Sequence, residues 1–533
     1  MERRSYHKES LIDNEEDIFI VHSGNDRIGG IAIQVISSKL NHKGYHPSLF
    51  LDFGALMDIS GRHFGRYDNL SYHNGLRPLI QLGILPPIPN FYRIDIPNQP
   101  QTIDEWKKVL KNKDAVLNFQ NKMPIEQLAV LASHFHWDHV GNIGFINEKI
   151  PLVSNALTYR VIQTMEKHWG ANWRREVTFY RYRNGGKMKG SSAVCYRQYR
   201  NIINGVEIEI GPFKVNFLNV SHSAVGSSAI DVILPSGKRI HYTGDIRRGE
   251  LTNSYLEWLK KQDWFDVFLI DGTNIGKDKV VITEEEVAKE IFKQLKNNKG
   301  TCFIMISPRH FERMSNIIDA AKKTGRKIYL PLVCGFYLDQ IHDLRSLDER
   351  IPNLYDDDIF VYLHSANSGK YQATDYPKEL REFAFSPNSK IKRINFDDLK
   401  VLENEDAVVI LTSLSQMINF FSYNFFPRGG FYIHSASDAY DEKGLIDLRQ
   451  IKRILSQVGY RYQQIHASGH FSESDLAYFI NEIKGKVGLF IPIHTENPVR
   501  FSKLIGDDKK VKVLSRIYRG YPYSFDGKNL LID

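Results

Sequence analysis

A chain of 533 residues, 42% of them hydrophobic, is longer than one apolar core usually organises, so two or more globular domains are expected. No apolar run approaches the roughly 20 residues that span a bilayer, and Met1-Glu2-Arg3-Arg4-Ser5 leads into polar residues rather than a signal-peptide core, so a cytoplasmic protein is expected. Cys195, Cys302 and Cys334 have no C-x-x-C spacing, which argues against a disulfide framework or a cysteine zinc site and for buried thiols, while the formal charge of +8 suits a polyanionic partner without requiring one.

The first residues, to about Asp17, read as a loose polar tail. Ile18-Phe19-Ile20-Val21 and Ile31 to Ile36, separated by a glycine-rich turn from Gly24 to Gly30, read as two strands, and Ser48 to Gly54 reads as a third with Asp52 at its end. From Ala55 to about Thr102 the pattern weakens around Pro86-Pro87-Ile88-Pro89, and a long insertion near the mouth of a site is expected.

Leu128-Ala129-Val130-Leu131-Ala132 is a buried strand that runs into His134-Phe135-His136-Trp137-Asp138-His139. A tight loop after a strand end lets several side chains point at one place. Neutral imidazole and carboxylate suit zinc or manganese, so His134 and His136 can hold one ion while Asp138 and His139 hold a second. Paired ions of this kind serve phosphoester hydrolysis. A histidine-rich surface loop without metal is the alternative. Trp173-Arg174-Arg175, Tyr180-Arg181-Tyr182-Arg183, Lys187-Met188-Lys189 and Tyr196-Arg197-Gln198-Tyr199-Arg200 interleave cations with rings, either to hold phosphates and stack on bases or as a solvated hairpin. Phe213 to Leu218 alternates like a half-buried strand ending near His222, and another strand carries Thr243-Gly244-Asp245.

Val267 to Ile270, ended by Asp271, is a further buried strand, after which the rhythm changes. Thr283 with Glu286 forms a capping box for a helix to about Leu295, and the strands Cys302–Ile306, Lys327–Leu330 and Ala407–Leu411 alternate with helices such as 311–323, as in a parallel α/β domain. Residues 343–398 show little periodicity. His466 to His470, a helix at about 473–483, and a strand Val487–Ile493 ending in His494 then close the chain.

His134, His136, Asp138 and His139, with His222 and Asp245 in order at strand ends, resemble the metallo-β-lactamase fold, an αββα sandwich with a two-metal site at one sheet edge. The interruption by an inserted parallel α/β domain is similar to the β-CASP branch, which processes nucleic acids. Asp271, His470 and His494 match that branch's three extra motifs. The resemblance implies a metallo-β-lactamase domain over 1–275, an inserted β-CASP domain over 276–460 and a closing metallo-β-lactamase part over 461–533. It implies two Zn2+ ions (Mn2+ is the other candidate), one held by His134, His136 and His222, the other by Asp138, His139 and His494, and both by Asp245. Asp138, Asp271 and His470 are the candidate catalytic residues, His470 as a general acid or phosphate contact oriented by Asp271. Histidine at the third motif goes with RNA substrates, and around Ala467 to His470 and Pro492 to Glu496 the sequence is most similar to ribonuclease J and its archaeal-type relatives. The expected function is hydrolysis of RNA phosphodiester bonds by a hydroxide activated between two ions, exo- or endonucleolytic.

Two departures from ribonuclease J stand out. The chain ends soon after His494, without room for the extra C-terminal domain, which puts the usual homodimer in doubt. Leu411-Thr412-Ser413-Leu414-Ser415-Gln416 lacks the glycines of that family's phosphate cradle, so recognition of a 5′ monophosphate is not implied. Arg309 and Arg313 are candidates to hold the nucleic acid strand, with a surface helix as the plainer reading. The competing functions are a DNA nuclease of the same branch, a small-ester or lactam hydrolase, and a non-catalytic RNA-processing subunit; the last would be expected to have lost ligands.

Overall fold

The computed structural model describes residues 16–56, 75–100, 102–110, 123–169, 175–181, 183–184, 187–188, 194–277, 282–364, 366–437, 442–505 and 511–528. Two seven-stranded mixed sheets pack face to face. The first runs in the order 199–201, 152–154, 125–131, 46–53, 32–36, 18–23 and 522–524; the second runs 208–210, 213–219, 228–233, 239–242, 265–271, 487–493 and 512–513. Alternation sets which side chains meet between them. Phe19, Val21, Ile33 and Leu131 of the first sheet share one core with Val215, Ile230, Val267 and Ile491 of the second. The outer faces are covered too: helix Ala156–Trp169 lies over the first sheet, and helices Glu250–Lys260 and Glu473–Ile483 lie over the second. The expected αββα sandwich results, and strands covered on both faces read as the near-continuous apolar runs seen in Val267–Ile270 and Val487–Ile493.

The third sheet is parallel throughout, in the order 393–395, 359–363, 327–331, 407–411, 302–305, 431–434 and 462–464. The chain leaves the sandwich after Asp271 and returns beside it, Ile493 standing opposite Asp271 in a parallel pair. Helix Glu284–Asn297 begins with the capping box formed by Thr283 and Glu286. The aperiodic stretch 343–398 supplies the edge strand Arg393–Asn395, its neighbour Ile359–Leu363 and helix Lys378–Phe385.

Three expectations change. The segment after Ala55, expected as a long insertion near the mouth of a site, contributes to the core: residues 57–74 lie outside the described residues, but Leu76, Leu79, Ile84, Phe91 and Tyr92 pack on the outer face of the first sheet. It holds only the short helix Leu76–Gln81 and is otherwise irregular around its prolines, which hides its apolar side chains from any sustained helical or strand period. Of the basic and aromatic stretch, Trp173, Arg174, Tyr182 and Lys189 lie outside the described residues; Phe179–Arg181 pairs with Val194–Tyr196 as a hairpin, and Arg197 is buried. Its guanidinium donates to the carbonyls of Val177, Asn147, Ile150, Ile143 and Ile146 at 2.8–3.3 Å, so it ties loops together and cannot also hold a phosphate. Cys302 and Cys334 are buried as expected, but Cys195 on the hairpin is only half-buried.

Arg313 is a strut within the parallel α/β unit and not a strand-binding cation. It is fully buried, with Nε and Nη2 donating to Glu284 at 2.8 and 2.5 Å and Nη1 donating to the Ser435 carbonyl at 2.9 Å and hydroxyl at 2.6 Å. Arg247, two residues beyond Asp245, reaches the same Glu284 at 3.0 Å and Glu312 at 2.8 Å. Removing one partner from such a network strands the other charge in the interior. Arg313→Met is therefore expected to lower stability by about 3–5 kcal/mol, read as a drop in the urea midpoint. Arg313→Lys should recover only part of it, because an ammonium cannot donate bidentately.

Candidate metal centre

The candidate ligands arrive at one edge of the sandwich from separate strand ends. His134, His136, Asp138 and His139 follow strand Ile125–Leu131, His222 follows Phe213–Asn219, Asp245 follows Arg239–Tyr242, Asp271 ends Phe265–Asp271, and His494 follows Val487–Ile493. Their donor atoms form three overlapping groups, each with all donors within 4.8 Å of one another: His134, His136, His222 and Asp245; Asp138, His139, Asp245 and His494; and Asp245, Asp271, His470 and His494. All nine sequence-predicted site residues are thus brought together. Asp245 belongs to every group, its Oδ2 lying 3.2 Å from His139 Nε2, 3.7 Å from His134 Nε2 and His222 Nε2, and 3.9 Å from His494 Nε2.

The rings are oriented from behind. His139 Nδ1 donates to Asp52 at 2.7 Å, His222 Nδ1 donates to the Gly469 carbonyl at 2.6 Å, His134 Nδ1 lies 3.0 Å from Ser133 Oγ, and His494 Nδ1 lies 2.6 Å from Thr273 Oγ1. In each, the Nδ1 contact turns Nε2 towards the others, the tautomer arrangement that metal-ligating histidines use. His134 Nε2 is buried and has no hydrogen-bond partner. Leaving a buried polar nitrogen unpaired is costly unless something else takes its lone pair, and two dications fit this donor set.

The electrostatics point the same way. Burial, reinforced by neighbouring imidazoles, holds His134 well below its usual range; burial holds His222 there too, and brings His136 down to about 3. Burial also opposes charge on His139, but the carboxylates of Asp245, Asp138 and Asp52 outweigh it and hold the imidazolium well above the ordinary histidine range. Asp138 and Asp245 are held below the carboxylate range despite burial, chiefly by His139 and His494. Beside them His470 Nδ1 donates to Asp271 at 2.7 Å, and although burial opposes it, Asp271 and Asp245 raise His470.

Sequence reasoning missed the supports. Thr273 bridges Asp271, His494 and His470 through one hydroxyl, and its only signal is its place two residues after a strand-end acid. Tyr242, at the end of a strand in the opposite sheet, donates to Asp52 at 2.6 Å. Asp52 and His494 both adopt left-handed backbone, φ 55° and 54°, conformations that non-glycine residues rarely keep without surrounding constraint. The loop itself is pinned by Ile31 N–H to the Asp138 carbonyl at 3.0 Å, and a Cβ at Gly54 would meet that carbonyl oxygen at 1.6 Å.

The fold and site define a metallo-β-lactamase-type protein with an inserted parallel α/β domain, and a beta-lactamase superfamily domain matches residues 114–332. Curated relatives named Ribonuclease J or J2 match at low identity. The chain is 20% identical over 507 residues to Ribonuclease J of Helicobacter pylori strain J99, covering 89% of this chain and 63% of that one. It is 22% identical over 417 residues to Ribonuclease J2 of Bacillus subtilis strain 168, covering 76% and 65%. Ribonuclease J of Mycolicibacterium smegmatis matches at 23% over 209 residues, 38% of this chain and 33% of that one, so the chain spans about a third to two thirds of the length of these curated relatives. The chain is thus similar, at low identity, to proteins named ribonuclease J. A solved structure described as a protein of unknown function from Enterococcus faecalis V583 has the same fold over 96% of this chain and 100% of its own, with a TM-score of 0.65 at 18% identity.

Two outcomes are expected of this centre. Because His139 carries a proton at neutral pH while His134, His136 and His222 do not, uptake of divalent ions should release about one proton per chain, measured by calorimetry in buffers of different ionisation enthalpy, and affinity should rise with pH. Asp52→Asn removes the carboxylate that orients His139 and should weaken metal binding about 10- to 100-fold, measured by competition with a chromophoric chelator.

Proposed function

We propose that this chain is a metal-dependent ribonuclease of the cytoplasm that hydrolyses RNA phosphodiester bonds. The observation that carries the reading is a pair of four-residue ligand clusters sharing one carboxylate, with a charged histidine–aspartate pair beside them. Imidazole and carboxylate without thiolate suit zinc, with manganese as the other candidate. His134, His136 and His222 would hold one ion, Asp138, His139 and His494 the other, and Asp245 both. When bound, such a pair acidifies water towards neutral pH and offsets the charge that develops on the phosphate oxygens.

The chain's own residues do the rest. Asp271 fixes His470 by its Nδ1–H and favours its imidazolium, leaving Nε2–H as the proton for the departing 3′ oxygen. Asp52, Ser133 and Thr273 hold the ligand rings in register before substrate arrives, so little reorganisation is needed during the reaction. RNA is favoured over DNA by His494 at the third motif and by relatives named ribonuclease J. We take 276–460 as the inserted domain and the flanking segments 1–275 and 461–533 as the hydrolytic body.

The test uses purified protein with zinc or manganese, an internally labelled RNA oligonucleotide and its DNA counterpart. RNA should be cut and DNA spared, with the product ladder assigning internal cutting or end trimming. Equal or preferred DNA cleavage would overturn the substrate assignment. His136→Ala and Asp245→Ala should abolish cleavage while leaving the fold intact. His470→Ala should lower kcat by about 10²–10⁴-fold with KM little changed, the size of a lost general acid.

A further inference from the structure

Among the described residues, one cation beside the centre has no carboxylate paired with it. Arg309 follows Cys302–Met305, a central strand of the parallel sheet, and so lies at the carboxyl end of the strands, where open α/β sheets form their ligand crevices. Its guanidinium carbon sits 5.3 Å from the centroid of the Trp169 ring, and Trp169 packs edge-to-face on Trp137 at 5.3 Å. Trp137 stands between His136 and Asp138, so a continuous stack joins the metal loop to Arg309. His136, Trp137 and Asp138 are also the half-buried part of that loop, whereas His134, His139, His222, Asp245 and His494 are buried; Arg309 therefore stands on the open side.

Arg309 is half-buried, and the arginines that are fully buried are saturated: Arg93 by Asp95 and Glu176, Arg197 and Arg326 by backbone carbonyls, Arg247 and Arg313 by Glu284. Arg309 Nη1 is buried with no hydrogen-bond partner, and among the described residues no carboxylate pairs with it. Stacking on an indole steadies a guanidinium but does not replace its hydrogen bonds. Its charge reaches the centre, being felt at His136 and attracted by Asp138.

We propose that Arg309 is an anion clamp: packed over Trp169, its Nη1–H donates to a non-bridging oxygen of the RNA phosphate presented to the metal centre. The inference rests on the nuclease reading for the identity of the anion. The inserted domain thus supplies the hand that holds the substrate backbone, in a sequence whose Leu411–Gln416 segment has no glycine cradle and whose Ser413 is spent capping the next helix.

The test compares wild type, Arg309→Gln and Arg309→Lys for binding of a fluorescein-labelled RNA oligonucleotide by anisotropy, in EDTA and across a potassium chloride series, alongside cleavage with metal. Arg309→Gln should weaken binding about 10- to 100-fold, as for a lost charge-assisted hydrogen bond, irrespective of base sequence. It should also flatten the slope of log affinity against log salt by about 0.7, one phosphate contact on a single strand, while Arg309→Lys keeps the slope. Its melting temperature should stay level or rise, because an unpaired buried charge is removed; a structural arginine would lower it. Wild-type affinity and slope in Arg309→Gln, or no RNA binding by the wild type, would overturn the clamp. If the wild type cleaves neither RNA nor DNA yet binds RNA through Arg309, the nuclease reading falls and the clamp stands; if it cleaves RNA with Arg309→Gln unaffected, the clamp falls alone.

Discussion

The carboxylate of Asp52 is the point on which the centre hangs. It accepts from Ser133 N–H at 2.7 Å, Ser133 Oγ at 2.6 Å, Tyr242 OH at 2.6 Å and His139 Nδ1 at 2.7 Å. Three of these donors belong to the strand and loop that carry the H-x-H-x-D-H run, and the fourth comes from the opposite sheet. One buried anion therefore fixes the start of the metal loop, the orientation of one of its histidines and the spacing of the two sheets at that edge. A carboxylate with four donors is well compensated in the interior, which is how it can sit at zero exposure without a direct cation other than the His139 imidazolium. The left-handed backbone at Asp52 follows: the strand must turn back at once to aim the side chain under the loop.

The candidate ligands were legible because strand-end chemistry is local. An apolar run followed by His134 to His139 states both the support and the site within a dozen residues, and His222, Asp245, Asp271 and His494 repeat that grammar. The supports were not legible, since Tyr242 and Asp52 are 190 residues apart and meet only through sheet packing. Cations misled for a related reason. Arg197, Arg309 and Arg313 look alike in sequence, yet one is saturated by carbonyls, one by a carboxylate and one by nothing, and only the fold decides which. The segment from Leu76 to Tyr92 differs again, because beyond the one short helix Leu76–Gln81 a proline-rich chain buries side chains with no regular period.

The inserted domain is not an appendage. The core on the outer face of the first sheet runs on into residues such as Ile304, Leu330 and Val408 of the parallel sheet. Arg247 ties Glu284 and Glu312 of the insertion to the loop that carries Asp245, and Arg160 of the sandwich pairs with Asp343 across the same junction, although that exposed pair contributes little. A hinge with a buried, mutually satisfied ionic network is stiff, because opening it would expose several charges to partial pairing at once. The loop bearing Arg309 is thus held at a set distance from the metal edge.

On the proposed assignment the two clusters are electrostatically unequal. The first offers three imidazoles, held neutral mainly by burial, and shares the single carboxylate of Asp245. The second adds Asp138 and so presents two carboxylates, but His139 must first lose a proton that those same carboxylates hold in place. The greater negative charge of the second cluster strengthens its attraction for a dication only to the extent that the solution takes up that proton, whereas the first is ready across the neutral range. The shared Asp245 makes the two interdependent: a dication on either side takes up part of the negative charge that holds the His139 proton, and so eases the entry of the other. The same carboxylate that joins the ligands in space would therefore join their occupancies in energy.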